Sequence, residues 1–195
     1  AFAALALSEY STLPGAAITT PHEARSEARR IMLDLTYVTE FEEDPLADPD
    51  SAGAVLLALT RIRRNDSAAW MAEPELDVLA RNATGRLLRA MESEGWARGV
   101  PPALGGMIAC ALAGADPWDD TGNARRHAEE LLRGLLRGTP SEQLIALMPW
   151  VVWCELELSA PGAPIPASST RYMWSTTAPW CRSARWPLSS RPMSW

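Results

Sequence analysis

LARNATGRLLRAMESEGWARGVPPALGGMIACALAGADP, residues 79–117, decides the fold. Its first half carries Ala80-Arg81 and then, seven and eight residues on, the apolar pair Leu87-Leu88. That spacing puts the apolar residues on one helical face and the arginines on the other, which predicts an amphipathic helix with one side in water. Its second half, Gly99 to Ala115, is the longest uncharged run in the chain. The run is apolar nearly all round and opens on two prolines, so we expect a helix buried on most sides. It falls short of the ~20 residues needed to span a bilayer, and no membrane span is expected.

Working outward, both halves recur. The apolar type returns as Leu5-Ala6-Leu7, Leu57-Ala58-Leu59 and Cys110-Ala111-Leu112, at intervals of 52 and 53 residues, and again as Ile145-Ala146-Leu147 after 35. The amphipathic type returns as Ala24-Arg25, Ala80-Arg81 and Ala124-Arg125, each followed at the same offset by Ile31-Met32, Leu87-Leu88 or Leu131-Leu132. The two types alternate in order three times, which is the signature of an αα-hairpin repeat array. Turn and breaker residues fall between them: Leu13-Pro14-Gly15, residues 44–53, residues 64–67, residues 99–102 and residues 115–123. Ser51 and the stretch Asp119 to Thr121 are candidate helix N-caps, and Gly138 before Thr139-Pro140 ends the third amphipathic helix. Strand signals are nearly absent. WVVWCELEL at 150–158 has a partial period-two pattern, but helix is the better reading.

The fold class expected is therefore all-α, an αα-hairpin repeat domain over residues 1–160. Residues 161–195 form a second, irregular segment. They hold six Pro, seven Ser, four Trp and four Arg and no acid, a charge of +4 against −10 for the rest. This composition has neither helical periodicity nor a strand pattern, and we expect it to be poorly ordered. The chain opens on Ala1 without Met, and AFAALALSEY has no basic stretch before it, making it a poor signal peptide. We expect either a fragment or a short open array that uses a partner to cover its ends.

Charge excludes some functions. The net −6 argues against nucleic-acid binding, although Trp174, Trp180, Trp186 and Trp195 interleave with Arg in the tail. All 18 basic residues are Arg, so there is no lysine for a Schiff base or a phosphate-binding loop. Cys110, Cys154 and Cys181 are widely spaced, and two histidines, His22 and His127, do not complete a zinc site. Cys110 and Cys154 read as small core residues. No metal and no cofactor are expected.

The alternation of an all-round apolar helix with an amphipathic one, at about fifty residues, resembles the α/α-toroid families, in which inner helices form a barrel and outer helices wrap it. Residues 79–117 look like the repeat of the terpenoid cyclases and protein prenyltransferases, with Glu92-Ser93-Glu94-Gly95-Trp96 in place of the Gln-rich, Gly-Trp-containing turn. The likeness covers about 1–158 in layout and 79–117 in residues. It implies a partial toroid and an active site among the loops at one end of the inner helices. The family's Asp-x-Asp-Asp acid motif is absent, as is the prenyltransferases' zinc set of Asp, Cys and His. The six-hairpin glycosidases share the layout without a residue match.

Two acidic loops are the candidate sites. Asp116, Asp119 and Asp120 flank Trp118. Paired carboxylates of this kind share a proton, bind a cation or serve as glycosidase-type acid and base, and Trp96 and Trp118 would line the pocket. The structural alternative is that Asp119 and Asp120 cap the helix that follows. The loop from Glu40 to Asp50 gathers six acids but matches no calcium loop, and reads as a solvated linker. His127 reads as a surface residue. Arg61, Arg63 and Arg64 read as the basic end of a helix. Trp150 and Trp153 share a face and should pack in the core. Asn82-Ala83-Thr84 matches the glycosylation pattern but falls mid-helix.

Two functions are consistent with these residues. The first is a non-catalytic helical-repeat scaffold or binding module, whose open repeat ends are covered by a protein partner or by other copies. The second is a toroid-type enzyme, isoprenoid cyclase-like or glycosidase-like, acting on a small apolar or carbohydrate ligand through Asp116, Asp119 and Asp120.

Overall fold

The structure is a computed structural model that describes residues 1–15, 17–38, 46–93 and 100–159. Chain contacts cluster into two units, Ala1–Pro164 and Ile165–Trp195. The second unit lies outside the described residues, as do Trp96, residues 39–45 of the first acidic loop, and Cys181.

Among the described residues the first unit is entirely helical. Its helices are α1 (Phe2–Tyr10), α2 (Pro21–Val38), α3 (Pro49–Asn65), the short α4 (Ser67–Trp70), α5 (Pro74–Glu92), α6 (Pro102–Ala113), α7 (Ala124–Gly138) and α8 (Leu144–Ser159), with a 3-10 turn at Asp116–Trp118. The ambiguous stretch at 150–158 is helix, and Pro149 sits inside α8 rather than before it. No described helix is long and apolar enough to cross a membrane.

Local chemistry sets the helix ends. Thr20 and Glu23 form a reciprocal capping box at the start of α2. The Glu23 amide donates to Thr20 Oγ1 at 3.2 Å, and the Thr20 amide donates to Glu23 Oε2 at 2.9 Å. At α3 the cap is Asp48, whose Oδ1 accepts from the Ser51 amide at 2.8 Å. Ser51, the residue expected to cap, instead donates its hydroxyl to Asp48 Oδ2. Pro49 fills the first helical position, where its missing N–H costs nothing.

The apolar helices pack as neighbours: α1 on α3, α3 on α6, and α6 on α8. α3 and α6 run in the same direction, since Gly53 faces Met107 and Ile108 while Thr60 faces Gly114. α8 continues that sense, with Gly106 beneath Leu147 and Trp150. A Cβ on Gly106 would stand 2.7 Å from the Trp150 Cβ, and one on Gly53 would stand 2.7 Å from Ile108 Cγ1, so glycine is what lets these helices approach. The amphipathic helices α2, α5 and α7 pack mainly against α1, α3 and α6 respectively. They run the opposite way. Gly105, early in α6, lies against Leu135, late in α7, and Arg125 at the start of α7 donates to the Leu158 carbonyl at the end of α8.

The core follows from this layout. Gly105 to Ala113 are buried without interruption in α6, and Ala52 to Leu59 in α3. The amphipathic helices bury one stripe each, such as Leu76, Leu79, Ala80, Ala83, Thr84 and Leu87 in α5. Thr84 is buried and Asn82 is exposed, so the glycosylation pattern is split between the core and the surface of one helix.

Candidate functional site

The second acidic loop links α6 to α7, at the same end of the bundle as the C-terminus of α3. The N-cap of α7 is Asn123, just after the stretch Asp119 to Thr121 that was expected to supply it, but Asp119 still reaches the first helical amide. Its Oδ2 accepts from the Ala124 amide at 2.6 Å, and its Oδ1 accepts from the Thr121 amide at 2.9 Å and the Thr121 hydroxyl at 2.6 Å. Burial pushes this carboxyl's pKa up, but those donors outweigh it and hold it below the usual carboxylate range. Asp116 pairs with Arg125 at 3.1 Å, also in the first turn of α7. Asp120 is 84% exposed and pairs with Arg81 of α5 at 3.1 Å. The fold thus brings Asp116 and Asp119 to one helix start and directs Asp120 to another helix.

Trp118 is only 4% exposed. Its indole packs against that of Trp70 at 5.7 Å between centroids, and both indole N–H groups donate to the same oxygen, Oδ1 of Asp77, at 2.8 and 2.9 Å. The Arg63 guanidinium covers the Trp118 ring at 5.2 Å, a cation–π contact. Burial raises the Asp77 pKa, while the two indole donors and the charges of Arg63 and Arg81 lower it by more, so the carboxylate stays ionised. This cluster joins the segments after α3 and α6 to the first turns of α5.

A second polar cluster lies at the same end and was not read from the sequence. Arg61, 3% exposed, is held in a fork by Glu9 of α1, with Nε to Oε1 at 2.5 Å and NH2 to Oε2 at 3.0 Å. Its NH1 also donates to Glu157 of α8 at 3.3 Å, and Arg64 pairs with both oxygens of Glu157. Glu157 is 4% exposed. Two guanidinium groups and two carboxylates therefore compensate one another where α1, α3 and α8 meet. Arg61 also lies over the Trp153 ring at 5.3 Å, and Trp153 stacks on Trp150, both half-buried. Arg61, Arg63 and Arg64 were read as the basic end of a helix; Arg61 is in addition enclosed by partners on α1 and α8. The available signal was a pair of acids, Glu155 and Glu157, in a mainly apolar helix, of which the one that is buried requires a partner.

Cys110 and Cys154 are buried. Burial raises the Cys110 thiol well above its ordinary value and pushes Cys154 up to about 12, so both stay protonated and unreactive at neutral pH. No group of three or more His, Cys, Asp or Glu among the described residues is placed to hold a metal ion.

A concavity of about 690 Å³ among the described residues includes none of Asp116, Asp119 or Asp120 in its lining. It is lined by Met91, Pro102, Leu131, Leu135 and Pro140, with His127 and Glu130 at its polar side. His127, expected on the surface, is half-buried there, its Nδ1 3.7 Å from Glu130 Oε2.

No family model matches the chain, and neither does any curated protein or solved structure. The described residues define an all-helical protein.

Proposed function

We propose that the chain is a non-catalytic helical-repeat scaffold or binding module, an αα-hairpin array of partial-toroid layout that engages a protein partner or further copies through its open ends. The observation that carries this reading is the engagement of the acids. Asp119 is consumed as a helix cap, Asp116 and Asp120 are tied in surface ion pairs, and Trp118 is enclosed by Trp70, Asp77 and Arg63 instead of lining a cleft. The array reading is supported by the order of packing, in which the apolar helices neighbour one another and each amphipathic helix runs back against them.

The test uses Asp119→Asn and Asp120→Asn. For a scaffold, Asp119→Asn loses ~1 kcal/mol of folding stability, because an amide has one acceptor oxygen where the carboxylate uses two, Asp120→Asn changes stability by less than ~0.5 kcal/mol as an exposed pair, and the helical circular dichroism is unchanged. Calorimetric titration of the wild-type chain with a prenyl diphosphate and with a glucan oligosaccharide should show no binding. Saturable binding of either, abolished by both substitutions, would overturn the scaffold in favour of the toroid-type enzyme.

A further inference from the structure

We draw no further inference here: the strongest candidate, the outward apolar stripe of α8 formed by Ile145, Pro149, Val152 and Leu156, is left partly open to solvent, and nothing in the structure shows what covers it.

Discussion

α6 and α8 are both mainly apolar in sequence, α8 with Glu155 and Glu157 near its end, yet they are buried to different extents. α6 lies between α3, α7 and α8 and hides every residue from Gly105 to Ala113. α8 has its main contacts with α6 alone, and buries only Leu147, Val151, Cys154 and Glu157 while Ile145 is 81% exposed. Composition sets how much apolar surface a helix offers, and its place in the row sets how much of it is removed from water. The two helices are also anchored differently. α6 is held by close apolar contact through glycines. At its C-terminal end α8 is held by a buried carboxylate between two arginines.

That contrast is open to attack by substitution. Glu157→Ala takes from Arg64 the carboxylate it pairs with and from Arg61 one of its two, Glu9 remaining on Arg61, which costs ~3 kcal/mol, the low end for a broken buried ion pair. Urea unfolding measures it, and a loss under ~1 kcal/mol would mean that apolar packing holds α8 without the ion pairs. Leu112→Ala, fully buried near the C-terminal end of α6, should cost ~2–5 kcal/mol through lost burial and a residual cavity. A near-neutral result would show that α6 is not enclosed.

Asp77 tests the polar anchoring of α5. Its pKa is depressed in the folded state, so its contribution is present above the unfolded value of about 3.9 and is lost as pH falls through the lower folded value. The stability gap between wild type and Asp77→Asn should therefore be larger at pH 7 than at pH 3. A gap that is the same at both would exclude the ionised carboxylate as the anchor of Trp70 and Trp118. The smallest effect belongs to α8's outward side, where Ile145→Ala should stay within ~0.5 kcal/mol. A loss comparable to that of Leu112→Ala would show that something covers that stripe in solution.

Much of the fold was legible. The 3.6-residue spacing in α2, α5 and α7 identified their buried stripes, and the uncharged run at 99–115 marked the most deeply buried helix. The cap at α3 was displaced from Ser51 to Asp48, because the preceding carboxylate reaches the Ser51 amide and the Ser51 hydroxyl is then free to donate to it. The acid loop was legible as a set of residues but not as a set of partners. Which cation Asp116 or Asp120 meets depends on where Arg125 and Arg81 are placed, and in the second case the partner is 39 residues away in sequence.

The sequence by itself determined that the described residues are helical, which helices are mainly apolar and which are half wet, since those properties follow from local spacing. Only the tertiary structure decided that Arg61, Glu9 and Glu157 share one buried cluster, that Trp118 and Trp70 converge on Asp77, and that α6 is enclosed where α8 is not. The reason is that residues 52 and 96 positions apart meet through helix packing, and no local pattern records which side of a helix its neighbour will occupy.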